Sequence, residues 1–221
     1  MILLDGKSLS KKIKLELSNE VKKITSSSTR KPHLVAILVG ENPASQTYVN
    51  AKEKACTQVG FDSTIIKYDK NISQEDLIDK ILQINLDSNI DGLIVQLPLP
   101  NHIDEYLVVN SISAEKDVDG FHPINLGKMI LGVDCFLPAT PFGILTLIEE
   151  YGIDTIGKNC LVIGRSNIVG RPISILMSRN AKFANATVTL AHSKTKNIEK
   201  LTMGADIIIV ALGRENFLKA N

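Results

Sequence analysis

Apolar positions Leu9, Ile13, Leu17, Val21 and Ile24 recur at helical spacing, so the pattern predicts a helix over 7–24. HLVAILV at 33–39 is an unbroken apolar run between Pro32 and Gly40, which reads as a buried strand. A helix over 45–60 follows, with Asn42 as its N-cap, Pro43 at its first position and Gly60 as its stop. Next come a strand over 63–68, a helix capped by Ser73 and running to Asn85, and a strand over 93–97 closed by Pro98 and Pro100. Alternating strands and helices with near-continuous apolar strands imply a parallel sheet covered on both faces.

The stretch 101–137 carries few periodic signals, and PATP at 138–141 marks a boundary. After it the pattern predicts a helix over 142–151 and a strand over 160–163. A glycine turn, a helix over 168–178, a strand over 187–191, a helix near 195–202 and a strand over 205–210 complete the rhythm. The chain therefore reads as two α/β lobes meeting near residue 140. The second lobe shows three strands, fewer than a doubly wound nucleotide lobe needs, so it is expected to be an incomplete copy of its fold. The polar run 25–30 reads as a loop.

Stepping 100° per residue along 45–60 places Ala44, Tyr48, Ala51, Ala55 and Val59 on one face, which is expected to pack. Lys52 lies one turn after Tyr48 and close to that face, whereas Lys54, Glu53, Asn50 and Thr57 lie opposite. A lysine on a packed face either snorkels to water or is held there for chemistry.

Three further stretches carry candidate chemistry. GRSNIVGRP at 164–172 lies between a strand and a helix, where a glycine turn makes either a phosphate site or merely a tight connection. Ser166 stands where a G-x-G-x-x-G pattern has its second glycine. In DGLIVQLPLP at 91–100, Gln96 is the only polar side chain of a buried run, at the carboxyl end of its strand. It is either a ligand group or a core amide satisfied by backbone. In KDVDG at 116–120, Asp117 and Asp119 flank Val118; the pair is thin support for a metal and suits a turn with side-chain-to-backbone bonds.

Composition narrows the function classes. A net charge of +1 gives no electrostatic case for nucleic acid or a membrane surface. No apolar run approaches the roughly 18 residues of a spanning helix. The start reaches Asp5 too soon for a signal peptide. Cys56, Cys135 and Cys160 are odd in number and far apart, so they read as buried free thiols in a reducing cytoplasm rather than as zinc ligands or disulfides.

YVNAKEKA, DGLIVQLPLP, KDVDGFHP, PATP and GRSNIVGRP occur in this order, and the series closely resembles the bifunctional methylenetetrahydrofolate dehydrogenase/cyclohydrolase family. The resemblance runs from about Asp5 to the end of the chain. It implies an α/β fold of two lobes: a parallel α/β catalytic domain that binds folate over 1–139, and a Rossmann-like NADP-binding domain over 140–221, C-terminally incomplete. Members continue past the equivalent of Asn221. The implied chemistry is oxidation of 5,10-methylenetetrahydrofolate with NADP, then hydrolysis of the methenyl product to 10-formyltetrahydrofolate. By motif match Lys52 is the catalytic lysine, Tyr48 stacks on the folate, Gln96 orients the lysine and Asp119 holds the pterin in a cleft between the lobes. The resemblance also implies a homodimer through the nucleotide lobe. Ala139 departs from the Cys that many members carry. A dehydrogenase without the hydrolytic step and a weak nucleotide binder without chemistry are the competing readings; Lys52, Gln96 and Asp119 together argue against the first.

The residues themselves argue for NADP over NAD. A NAD-type lobe carries an acidic side chain after its second strand. Here the strand over 187–191 runs into His192-Ser193-Lys194-Thr195, with no carboxylate. Arg165 follows Gly164 directly, and an arginine and Ser193 around one pocket suit a phosphate monoester; the alternative is a solvated basic turn. With Ser166 and Gly170 these make the expected coenzyme site.

Overall fold

The computed structural model describes residues 2–27, 30–214 and 216–219. The chain divides into two compact units, Met1–Asn125 and Leu126–Asn221.

The first unit is built on a parallel sheet in the order β2-β1-β3, with β1 His33–Val39, β2 Asp62–Tyr68 and β3 Gly92–Val95. Val35, Ile37 and Val39 of the central strand pack with Leu77, Ile81 and Ile84 of α3 (Gln74–Leu86), Leu93 and Val95 of β3, and Val108 of α4 (Glu105–Ser111). The alternate residues Ala36 and Leu38 pack with Ile94 and with Val49 of α2 (Pro43–Val59). This two-sided burial is why β1 reads as a continuous apolar run. The ends of α2 follow its sequence signals: Asn42 Oδ1 accepts from the N–H groups of Ala44 and Ser45, Pro43 is the first helical residue and Gly60 takes φ 91°.

The second unit repeats the plan. Its sheet runs β5-β4-β6, all parallel, with β4 Asn159–Ile163, β5 Thr187–Ala191 and β6 Ile207–Val210. Cys160 and Val162 face Leu145 and Ile148 of α6 (Ala139–Glu150) and Ile173, Leu176 and Met177 of α7 (Gly170–Ser178). Leu161 and Ile163 face Ala191 and, in α8 (Ile198–Met203), Ile198 and Leu201.

Several expectations change. The stretch 101–137 contains two helices, α4 and α5 (Pro123–Leu131). Both are short, and α4 is anchored by an Asp104 cap rather than by a long apolar stripe. α6 starts at Ala139, not 142, because Pro141 sits in its first turn, where a missing N–H costs nothing. α8 starts only at Ile198, since Asn197 takes a left-handed conformation, φ 55°. Of the expected loop 25–30, Thr25 and Ser26 close α1 (Gly6–Ser26), and Ser28 and Thr29 lie outside the described residues.

The packed face of α2 is also not the alanine face. Ser45, Val49, Cys56 and Val59 are buried, whereas Ala44, Tyr48 and Ala51 are exposed. Alanine carries too little area to decide which way a helix turns, and Val49 with Cys56 outweighs it. The corrected stripe passes directly under Lys52, within roughly 20° of its centre by the helical step.

Candidate functional site

Of the residues expected on the folate side, packing brings Lys52 and Asp119 together. Val118 joins the apolar cluster of Ala36, Leu38, Val49 and Ile94, between α2 and the sheet. Gly92 makes room for it: a Cβ at 92 would fall 2.7 Å from Val118 Cγ1. The backbone of the same segment is tied to β3, with Leu93 N–H donating to Lys116 O at 2.8 Å. Val118 is thus fixed beside Val49, and one turn further along α2 stands Lys52. Its Nζ lies 3.5 Å from Asp119 Oδ2, an ion pair at the outer limit of a hydrogen bond. The Lys52 side chain is 32% exposed and that of Asp119 17%, so solvent and ligand reach the lysine from one side.

Burial pushes the Asp119 carboxyl above its ordinary range; Lys52 pulls it back and the neighbouring Asp117 pushes it further up. Asp117 is itself buried and accepts hydrogen bonds from the N–H groups of Phe121 and His122 and from Asn125 Nδ2. Among the described residues no cluster of three or more His, Cys, Asp or Glu is placed to hold a metal ion.

Gln96 lies one residue beyond β3, at its carboxyl end. Its Nε2 donates to Leu97 O at 2.7 Å, while Oε1 is buried without a hydrogen-bond partner. A buried amide oxygen left open marks a place for a donor to arrive. Tyr48, one turn before Lys52, is 64% exposed.

The coenzyme-side residues lie in the second unit. Gly164 N–H donates to Ala191 O, continuing the β4–β5 ladder by one step, and its φ is 118°. A Cβ there would fall 2.3 Å from Ala211 O, and one at Gly170 would fall 2.0 Å from Gly164 O. The turn between β4 and α7 therefore closes only with glycine at both positions. Ser166 Oγ accepts from the N–H groups of Val169 and Gly170, so the residue in place of the second glycine satisfies two backbone donors of the turn that leads into α7. Arg165 is exposed and makes no side-chain hydrogen bond among the described residues.

Ile163 is paired with Ala191 across the β4–β5 ladder, so Arg165 and Ser193 leave neighbouring strands at equivalent positions. Ser193 is exposed in a turn in which Thr195 N–H donates to His192 O and His192 N–H to Thr195 Oγ. No carboxylate stands at the end of β5. An arginine, a serine and Lys194 at adjacent strand ends fit a dinucleotide carrying an extra phosphate.

Of the three thiols, Cys56 and Cys160 are buried and Cys135 is only partly so. Burial pushes the Cys160 thiol up to about 11, which keeps it protonated near neutral pH. The side-chain-to-backbone turn expected of KDVDG is present at Asp117, which accepts from Phe121 and His122 N–H; its near-complete burial and the Asn125 bond go beyond that expectation.

Both units of the chain match known proteins. Residues 4–119 match the family described as tetrahydrofolate dehydrogenase/cyclohydrolase, catalytic domain, and residues 138–221 match its NAD(P)-binding domain. The bifunctional protein FolD of Cytophaga hutchinsonii is 55% identical over 221 residues, all of this chain and 76% of that protein. The FolD of Flavobacterium johnsoniae is 53% identical over the same span, 75% of its length. The crystal structure of the bifunctional FolD methylenetetrahydrofolate dehydrogenase/cyclohydrolase from Campylobacter jejuni superposes with a TM-score of 0.94 at 47% identity, covering 99% of this chain and 76% of that one. The Trypanosoma brucei enzyme, solved with NADP cofactor and inhibitor, gives a TM-score of 0.91 at 32% identity, covering 96% and 72%. On these matches, and with both halves of its sequence accounted for, the chain belongs to the tetrahydrofolate dehydrogenase/cyclohydrolase family.

Proposed function

We infer that this chain oxidises 5,10-methylenetetrahydrofolate to the methenyl compound with NADP and then hydrolyses that product to 10-formyltetrahydrofolate. The observation that carries the reading is the Lys52–Asp119 pair at 3.5 Å, beside a surface tyrosine on the same helix. When bound, NADP would supply the hydride acceptor. The chain's residues hold the folate and move protons.

Lys52 acts in the hydrolytic step. Its amine relays a proton between the attacking water and the folate nitrogen that leaves as the ring opens. Gln96 orients that amine through its open Oε1, which accepts without adding charge. Asp119 accepts from N–H groups of the pterin, and Tyr48 stacks on its rings. On the coenzyme side Gly164, Ser166 and Gly170 shape the turn, and Arg165 with Ser193 takes the 2′-phosphate. We assign 1–139 to the folate chemistry and 140–221 to the coenzyme. The family matches at 4–119 and 138–221 support that division.

The resemblance further supports a homodimer formed through the coenzyme domain, working in the cytoplasm and supplying formyl groups for purine synthesis. No helix among the described residues is long and apolar enough to cross a membrane. Two spectrophotometric assays test the activity: NADPH formation from methylenetetrahydrofolate, and decay of methenyltetrahydrofolate without coenzyme. Both should proceed. A chain that performs the first and leaves the second at the uncatalysed rate is a dehydrogenase alone.

A further inference from the structure

We propose that Asp117 is a positioning residue for this site: its carboxylate gathers the following loop around itself and thereby holds Asp119 against Lys52. The proposal rests on the reading of Lys52 and Asp119 as the folate-side pair.

Asp119 lies in a short loop fastened on both sides. Before it, Lys116 Nζ donates to Ile84 O at 2.8 Å and Asp87 O at 2.6 Å at the end of α3, and Lys116 O accepts from Leu93 of β3. After it, the loop is drawn back onto Asp117. Oδ1 accepts from Phe121 N–H at 3.2 Å, and Oδ2 accepts from His122 N–H and Asn125 Nδ2, both at 2.8 Å. Asn125, 2% exposed, is held in turn by its bond to Ala114 O. Gly120 N–H returns to Asp117 O. With Val118 locked in the α2-side cluster, Asp119 has little freedom left, and its carboxylate meets Lys52.

The chemistry at 117 is specific. A carboxylate 1% exposed is tolerated because three N–H donors satisfy it. An asparagine could keep the two bonds at the Oδ2 position but would set an amide N–H₂ against Phe121 N–H. It would also remove a negative charge from beside Asp119. The charged groups bearing on Asp119 are Lys52 from α2 and Asp117 from its own loop, and they act in opposite directions.

The test is Asp117→Asn, with folate and coenzyme kinetics and the pH profile of methenyl hydrolysis measured beside the parent. The bond to Phe121 and the charge are lost, so kcat/KM for the folate should fall about tenfold, the value of one net charge-assisted contact. KM for NADP should not change. Asp119 must be ionised to accept from the pterin, so the acid limb of the profile should move to lower pH. A purely structural role lowers the active fraction and leaves both KM values and the shape of the profile as in the parent; that result overturns the proposal. Asn125→Ala provides the second arm. It removes a bond to Asp117 but keeps the charge, so the folate KM should rise with the acid limb unmoved. If Asp117→Asn does not fold, a parent-like folate KM in Asn125→Ala overturns the proposal by itself. A parent inactive in both assays would overturn the functional reading, and this inference with it.

Discussion

Lys52 Nζ and Asp119 Oδ2 stand 3.5 Å apart, brought together from the second helix and from a loop 67 residues later. The contact is long for an ion pair, and neither side chain is sealed from solvent. A structural salt bridge at this place would gain from closing to about 2.8 Å. The open geometry leaves donors on the lysine amine free for a ligand.

Lys52→Met should therefore abolish methenyl hydrolysis while leaving the fold intact, because Met keeps the apolar stem along the Val49–Cys56 stripe and drops the amine. Expected losses for a proton-transfer group are about 10²–10⁴-fold. Lys54→Met, on the exposed side of the same helix, should be nearly silent. Equal hydrolysis by the two variants removes Lys52 from the mechanism.

Asp119→Asn should stabilise the protein as it damages it. Burial holds the Asp119 carboxyl above the ordinary value of 3.8, so the native state binds this proton more tightly than the unfolded chain does. Below 3.8 both states are protonated and there is no penalty. As pH rises through the raised value, the native state must hold a poorly solvated charge, and stability falls; above it the whole penalty persists. Asparagine removes that penalty, and partly exposed Lys52 can turn to water. The variant should melt above the parent at pH 7, with the difference closing as pH is lowered through the window to 3.8. A lower melting temperature at pH 7 would show that the Lys52 attraction outweighs desolvation.

The relation of Gly92 to Val118 gives a separate handle on the loop. A methyl at 92 would lie 2.7 Å from Val118 Cγ1 and 3.2 Å from Leu34 Cδ1, so Gly92→Ala must move Val118. Overpacking of this kind costs about 1–3 kcal/mol. Because Val118 sits between Asp117 and Asp119, folate kcat/KM should fall while KM for NADP holds. Urea unfolding with kinetics checks both halves. A variant as stable and active as the parent would mean that the loop absorbs the methyl.

The sequence made the alternation of strands and helices legible because its strands are apolar on both faces and its helices carry explicit caps. β1 and β5 have the expected bounds, and α2 begins at Asn42-Pro43 and ends at Gly60 as its signals require. What it hid has local causes. α4 and α5 are too short for periodicity to register. The α2 face was misjudged by counting alanines equally with valine and cysteine. The two backbone bonds to Asp117 are those the D-x-D-G turn leads one to expect, whereas the open Oε1 of Gln96 and the Asn125 bond to Asp117 depend on how the fold closes around them and leave no periodic trace in the chain.

Coenzyme choice is the last consequence, and it turns on Arg165. The residue leaves β4 at the same level as Ser193 leaves β5, and it is exposed. Lys194 follows in the same turn, and no carboxylate stands there to bond the ribose hydroxyls of NAD. A phosphate monoester placed between the two strand ends would meet a guanidinium able to give two parallel hydrogen bonds, and a hydroxyl. Such a charge-assisted contact is worth about 1.5–3 kcal/mol, which corresponds to roughly a 10- to 100-fold loss of kcat/KM with NADP in Arg165→Ala. With NAD the loss should be much smaller, since that coenzyme offers no phosphate at this place. Ser193→Ala should act in the same direction and more weakly, because a neutral hydroxyl contributes about 0.5–1.5 kcal/mol. The turn itself should survive both changes: Gly164 and Gly170 set its geometry, and the bonds to Ser166 Oγ do not involve either side chain. Steady-state kinetics with both coenzymes for parent and variants decides the matter. A parent that prefers NAD, or an Arg165→Ala variant that loses both coenzymes equally, would show that Arg165 does not read the 2′-phosphate.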